Sequence, residues 1–271
     1  MKKFASLLAV ALLALAAVSL GTHSKATAAD KLPAQVQKIK DTGVLKVGVK
    51  QDVPNFGYYD SKSGKYTGME VEIAKKIADE LGVKVEYTAV TSQTREALLD
   101  NGQTDLTIAT YTINDERKAN YSISNPYYYD QVGFLVNKSD NINSPKDLDG
   151  KTIGVAQGST TKTSLEEYAK SNNLHFKYMQ LGSFPELAIA LRAFRIDAFS
   201  VDKSILTGYV SKNNKILDQG FDTMEYGIAA KKSNDQLTNY INGLLAQWRK
   251  DGSLQKIYDK YNLDPADADD E

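Results

Sequence analysis

Apolar positions along this chain fall into two kinds of segment, short runs that suit buried strands and longer stretches with helical spacing. Leu45 to Val49, in LKVGVKQDV, predicts a buried strand that ends in Lys50, Gln51 and Asp52. In GMEVEIAKKIADELG, Val71, Ala74, Ile77, Ala78 and Leu81 recur at helical spacing and Gly82 supplies the stop, so a packing helix is expected there. A second strand, Val83 to Val90, leads through Thr91-Ser92-Gln93-Thr94 into Arg95 and a helix carrying Leu98 and Leu99. A third, Leu106 to Thr110, runs past Thr112 and the turn-prone Asn114-Asp115 to Arg117. Around these, Lys31 to Lys40 reads as a short polar helix and Tyr58 to Tyr66 as a hairpin, with Asp60, Ser61, Ser63 and Gly64 at its turn.

The pattern then repeats itself. After Pro126-Tyr127-Tyr128-Tyr129, the apolar run GFLVNK predicts a strand leaving the first region, and Ser144 to Gly150 a short capped helix. KTIGVAQGST echoes LKVGVKQDV as a strand with a polar end, and FPELAIALRAFRIDAFSVD echoes REALLDNGQTDLTIATYT as helix, turn, Asp and strand. Ser183 and Glu186 have the spacing of a capping box. Glu225 to Ala230 reads as a returning strand, followed by helices over Gln236 to Trp248 and Ser253 to Tyr258, with Trp248 as a packing residue. Two lobes of similar α/β construction therefore share one chain.

Composition narrows the chemistry. Lys2-Lys3, an apolar run from Phe4 to Leu20 and Ala26-Thr27-Ala28 have the order of a secretory leader with its cleavage site, which predicts residues 1–28 as a signal peptide. The apolar run is near the lower limit for spanning a bilayer, so an anchor is the alternative, and the polar residues after it favour cleavage. Zero cysteines exclude disulfides and thiolate sites, and only His23 and His175 are present, which argues against a histidine-based triad or metal cluster. With 33 basic and 34 acidic residues the chain carries no general field for nucleic acid or membrane, so binding must be local.

Five strand ends carry the candidate chemistry. Thr112 and Arg117 can hold a carboxylate, because hydroxyl and backbone donors sit beside a guanidinium fork that pairs bidentately; the alternative is a surface Arg on an ordinary connection. Arg95 opens a helix, where a cation opposes the dipole, so it either points into solvent or has an anionic partner. Lys50 ends the first strand, where ligands of α/β sheets bind, or is a solvated surface lysine. Ser159 and Thr160 in QGSTT bring hydroxyls and a helix start suited to an anion, and Asp202 ends the matching strand as a partner for an ammonium. The plainer alternative is that Ser159 and Asp202 only cap the helices that follow them.

Taken in order, GMEVEIAKKIA, TINDERKANYSISNPYY, GVAQGSTT and RIDAFSVD resemble the polar amino-acid family of bacterial extracellular solute-binding proteins that feed ABC importers, family 3. The motifs span nearly all of the chain beyond the leader, and VKQDVPNF, TSQTREALLDNG and FSVDKSILTGYV are most similar to the aspartate/glutamate-binding subgroup. One departure is Met69, where the family has an aromatic or branched residue. The resemblance implies a two-lobe periplasmic-binding-protein fold of α/β class, with two crossing strands near Phe134 to Lys138 and Gly220 to Glu225 and a cleft between the lobes. The expected limits are residues 29–136 with 224–263 for a discontinuous first lobe, 139–220 for the second, and 264–271 for a disordered acidic tail. It implies that Arg117, with Thr112 and Thr160, holds a ligand α-carboxylate, that Asp202 takes the α-ammonium, and that Arg95 and Lys50 face a side-chain carboxylate. Thr110 and Tyr226 carry over as further ligand contacts. The implied function is capture of glutamate or aspartate by lobe closure and delivery to a membrane permease, by a secreted monomer without cofactor or metal. Binding of glutamine or another polar amino acid is the first alternative, and a cyclohexadienyl-dehydratase-like enzyme, with Asp202 or Glu70 as its acid or base, the second. A receptor sensing domain is disfavoured, since no segment after Leu20 is long and apolar enough to span a bilayer.

Overall fold

The computed structural model describes residues 32–266. The expected leader lies outside the described residues, as does most of the expected acidic tail.

The described chain opens with α1 (Ala34–Thr42), stopped by Gly43 at φ 71°. It enters β1 (Val44–Lys50), whose Leu45, Val47 and Val49 are buried. The small strands β2 (Asp52–Val53), β3 (Gly57–Asp60) and β4 (Lys65–Thr67) form an antiparallel sheet of their own, with the expected hairpin between the last two. Next, α2 (Met69–Leu81) buries Ile73, Ala74, Ile77, Ala78 and Leu81 and packs on β1 and on β5 (Lys84–Val90). Each large aliphatic side chain so buried contributes about 1.5–3 kcal/mol, which is why this stripe was readable from spacing alone. α3 (Arg95–Asp100), β6 (Leu106–Ile108), α4 (Asp115–Asn120) and β7 (Tyr121–Ile123) complete this part before β8 (Tyr128–Asn137) crosses away.

The second lobe follows with β9 (Thr152–Ala156), α5 (Thr161–Asn172), β10 (Lys177–Leu181), α6 (Phe184–Arg192), β11 (Ala198–Asp202), α7 (Lys203–Thr207) and β12 (Asn214–Ile216). The capping box at α6 is present in both directions, Glu186 N–H donating to Ser183 Oγ and Ser183 N–H to Glu186 Oε2. β13 (Phe221–Tyr226) returns to the first lobe, where β14 (Ala229–Lys231), α8 (Asp235–Lys250) and α9 (Ser253–Lys260) finish the described chain. Trp248 of α8 is fully buried, with the Lys76 ammonium 4.8 Å from its ring centre.

The first sheet has the order β5-β1-β6-β14-β7, and the second β10-β9-β11-β8-β12 with β13 also on β8. In each, three neighbouring strands are parallel: β1 with β5 and β6 in one, β9 with β10 and β11 in the other. The core of the second lobe gathers Phe134, Val136, Ile153, Val155 and Leu165 around β8 and β9.

Two expectations need correction. The first crossing does not lie at Phe134 to Lys138: Leu135 and Val136 pair with Phe199 and Ala198 of β11 and with Ile216 and Lys215 of β12, inside the second sheet. The crossing comes earlier, where Tyr128 to Val132 pair with Tyr226 to Phe221 of β13. Nor is Asp264 the start of a free tail, because the Ala266 N–H donates to the Tyr129 carbonyl and the Tyr128 hydroxyl to the Asp264 carbonyl. The segment up to Ala266 is tied along the first crossing strand.

Candidate ligand-binding site

Parallel strands present their carboxyl ends on one side of a sheet, and in open α/β sheets that is where ligands bind. Here β1 ends in Lys50, β5 leads to Arg95, and β6 leads through Thr110 and Thr112 to Arg117. From the other lobe β9 leads to Gly158 and Thr160, and β11 ends in Asp202. The structure brings these ends together between the lobes.

At the centre lies Tyr111, buried, with the Arg117 guanidinium 4.2 Å and the Arg95 guanidinium 4.8 Å from its ring centre. An aromatic face attracts cations, and this ring carries two. Arg117 donates from Nη1 to the Thr112 carbonyl (2.8 Å) and from Nε to Glu96 Oε1 (3.2 Å). Asn114 fixes its backbone, capping α4 by accepting from the Arg117 N–H. Arg95 donates from Nη1 to the carbonyls of Ala109 (2.6 Å) and Thr110 (2.8 Å). Both guanidiniums donate an Nη2 hydrogen to the carbonyl of Gly158 in the opposite lobe, at 3.3 Å from Arg117 and 3.5 Å from Arg95. Gly158 is at φ 74°, and a Cβ there would stand 2.7 Å from Gln93 Cα and Ser92 O, so the loop closes on the first lobe backbone to backbone.

The other expected residues take distinct places. Lys50 is buried, 3.6 Å from Asp52, with its ammonium 4.5 Å from the ring centre of Phe184 at the start of α6. Burial lowers its pKa to about 8, the Asp52 carboxylate resisting and Arg95 adding to the shift. Thr160 donates its hydroxyl to Thr112 Oγ1 across the cleft (3.3 Å). Ser159 does not cap α5: its hydroxyl turns back to the Ala156 carbonyl (2.8 Å), and Thr160 occupies the N-cap position without a capping bond. Asp202 sits at the N-cap of α7, again without capping it, and instead accepts from the buried Tyr226 hydroxyl. The plainer capping reading therefore fails for both residues. Thr110 is buried, and its backbone stands at φ 46°, an unusual conformation for a β-branched residue.

Two further carboxylates complete the site: Glu70, named from the sequence only as an acid or base of the enzyme alternative, and Asp130, which the sequence reading passed over. Glu70, on α2, is fully buried and accepts from the Thr110 N–H (2.5 Å) and the Tyr127 hydroxyl (2.6 Å), while its Oε2 has no protein partner among the described residues. Burial raises its pKa, against the pull of those two bonds and of the Lys50 and Arg95 cations. Its signal was available: positions 70, 73, 74, 77, 78 and 81 form one stripe, so an acid stood in register with a buried face. Asp130, on the first crossing strand, accepts from the Gln131 and Ser204 N–H groups. Burial, and then the charge of Asp202, raise its pKa; burial does the same to Asp202, opposed by the Tyr226 bond. A cavity of 490 Å³ opens beside this set, lined by Glu96, Thr112, Arg117, Gly158, Thr160 and Met224 among others. Lys50, Arg95 and Asp202 lie outside its lining.

Such an arrangement, cations and hydroxyls on one lobe facing a carboxylate and a glycine loop on the other, defines a two-lobed α/β ligand-binding protein. Residues 45–264 match the bacterial extracellular solute-binding proteins, family 3, and the chain belongs to that family. It is 35% identical to the ABC transporter glutamine-binding protein GlnH of Bacillus subtilis, over 97% of this chain and 96% of that one. An L-glutamate/L-aspartate-binding protein of Pseudomonas aeruginosa is 27% identical, over 88% of this chain and 82% of its own. Among solved structures, an ancestral arginine-binding protein bound to arginine aligns with a TM-score of 0.73 at 36% identity, covering 81% of this chain and 98% of that chain. These relatives are binding proteins, not enzymes. No helix among the described residues is long and apolar enough to cross a membrane.

Proposed function

We propose that this protein, as the amino-acid-binding component of an ABC transporter, takes an acidic amino acid, glutamate or aspartate, and hands it as a secreted monomer to a membrane permease. The observation that carries this reading is Arg95. Its side chain is 2% exposed, and among the described residues no carboxylate lies within 4.0 Å of it; its bonds go to neutral carbonyls, and its Nε has no partner. Arg117, by contrast, has Glu96. A buried cation without a counter-ion is costly, and the ligand side-chain carboxylate is the group that relieves it.

The remaining roles follow from charge. Arg117, with Thr112 and Thr160, takes the α-carboxylate, whose oxygens replace the Gly158 carbonyl as acceptor. Asp202, steadied by Tyr226, takes the α-ammonium. Lys50 adds a second positive charge near Arg95, and Thr110 presents the turn between the two arginines. An arginine ligand would set a cation against Arg95 and Lys50, and a glutamine would leave Arg95 without a carboxylate. Lobe closure around the ligand excludes water, and these charge pairs strengthen as the local dielectric falls.

Calorimetric titration of ligand-stripped protein with glutamate, aspartate, glutamine and arginine tests the reading, repeated on Arg95→Ala. The expected result is a preference for the two acids that Arg95→Ala removes, by about 3 kcal/mol or roughly 100-fold for a one-sided loss of a buried pair. If glutamine or arginine binds best to the wild type, the ligand assignment is wrong and the family stands.

A further inference from the structure

We infer that Glu70 is a positioning residue that acts through the backbone of Thr110 to set the guanidinium of Arg95, and so fixes which side chains the site accepts. The inference rests on the acidic-ligand reading for the identity of the ligand, and on geometry alone for the coupling.

The peptide units on either side of Thr110 are held from opposite directions. The Thr110 N–H donates to Glu70 Oε1 (2.5 Å), and the Thr110 carbonyl accepts from Arg95 Nη1 (2.8 Å). The same Arg95 nitrogen reaches the Ala109 carbonyl at 2.6 Å, so Arg95 reads the carbonyl directions of two successive residues. Those directions exist because Thr110 stands at φ 46°. A β-branched residue in that region is strained and persists only where its surroundings hold it. On the N–H side what holds it is one carboxylate oxygen. Tyr127 fixes it in turn, donating its hydroxyl to the same Oε1 at 2.6 Å.

Glu70 is itself placed with little freedom. Its own N–H donates to the Phe56 carbonyl, and the preceding Gly68, at φ 127°, leaves no room for a Cβ, which would stand 2.2 Å from Phe56 O. The start of α2 is thus locked beneath the β2–β3 turn, and the carboxylate projects from a rigid element into the site. A hydrogen-bonded path runs from the Tyr127 hydroxyl through Glu70 and Thr110 to Arg95. Of the groups on that path only Arg95 needs to touch the ligand. Loosening it lets Thr110 relax toward negative φ, turns the Thr110 carbonyl away and frees the guanidinium to seek water or Glu96.

The test is a double-mutant cycle in the full chain, with Glu70→Ala, Glu70→Gln, Arg95→Ala and the doubles, titrated calorimetrically with glutamate, aspartate and glutamine. Glu70→Ala is expected to weaken binding of the best ligand about tenfold in wild type and to have no further effect once Arg95 is alanine, a coupling within the range for contacting networks. Glu70→Gln, whose amide oxygen can accept the same two bonds, is expected to keep the wild-type order of ligands. If Glu70→Ala costs the same in both backgrounds, or Glu70→Gln fails as badly as Glu70→Ala, the inference is overturned. Should Glu70→Ala not fold, Tyr127→Phe removes one anchor of the carboxylate without opening a cavity. It enters the same cycle with the same expected loss of effect in Arg95→Ala, and an additive result overturns the inference equally. Failure of the acidic-ligand reading looks different: the wild type would prefer another amino acid, and the cycle run with that ligand would still report whether Glu70 and Arg95 are coupled.

Discussion

The two arginines of the site share a ring and an acceptor, yet their surroundings differ. Arg117 lies at the mouth, on the cavity wall, with the carboxylate of Glu96 at 3.2 Å. Arg95 lies deeper, outside that cavity lining, with carbonyls in place of a carboxylate. Burial and the neighbouring Arg117 weaken its hold on its proton, though a guanidinium stays charged in proteins. The difference teaches that a shared aromatic plate can serve two tasks. On the proposed reading, the arginine with a resident counter-ion is satisfied whichever amino acid arrives, while the one without is sensitive to what the side chain brings.

The sharpest way to break that comparison is Arg117→Ala. If Arg117 holds the group common to all amino acids, every ligand should lose about 3–5 kcal/mol, beyond 100-fold in Kd, with the order of preference unchanged. A selective loss for acids alone would reverse the roles of the two arginines. Tyr111→Leu strikes both ends together. It removes a face worth about 2 kcal/mol or more to each desolvated cation, together with the Tyr111 hydroxyl bond to Glu96 at 3.1 Å. Acids should suffer more than glutamine, because only they use both guanidiniums; equal losses would mean that the ring matters through packing alone.

The comparison also extends to protons. Asp130, raised to about 8, keeps in the folded state a proton that the unfolded chain gives up near pH 4, so stability of the ligand-free protein should fall as pH rises between those values. Lys50, lowered to about 8, releases its proton before the unfolded chain does near 10.5, so stability should recover above pH 8. Urea melts across this range should therefore pass through a minimum near pH 8, and Asp130→Asn should flatten the acid limb. A steady rise from pH 4 to 8 would contradict the assignment. The smallest effect is expected from Glu96→Gln. Its side chain is 39% exposed, so removing the ion pair should change binding by no more than about 1 kcal/mol, measurable as a mild salt-sensitive shift in Kd.

Much of the architecture was legible because the strands and helices are buried in the way that their spacing announces. Leu45 to Val49 and Val83 to Val90 fall on β1 and β5, and the stripe of α2 is the stripe seen in the sequence. Spacing says that a run is buried, however, and not against which neighbour. GFLV in β8 fits either sheet equally well, which is why the crossing was expected too late along the chain. The charged strand ends were legible for a related reason, since Lys50 and Asp202 close apolar strands and Arg95 and Arg117 follow strand ends, where a sheet exposes its rim. Glu70 was named only as an acid or base of the enzyme alternative, because one acid inside a packing stripe gives no sign of the backbone that it holds. Asp130 was hidden among tyrosines, and only its two N–H donors and its nearness to Asp202 give it meaning. The left-handed turn at Thr110 leaves no mark in composition at all.

Gly158 sets a limit on how this chain can vary. Gly43 and Gly82 also stand at positive φ, but a Cβ there would meet nothing within 4 Å, so an asparagine could take their place at modest expense. At residue 158 the space is taken by the backbone of Ser92 and Gln93 from the opposite lobe, and backbone cannot step aside. The tolerated alphabet at that position shrinks to a single letter. The constraint is imposed by the meeting of two lobes that are far apart in sequence, not by any requirement of the loop in which the glycine sits.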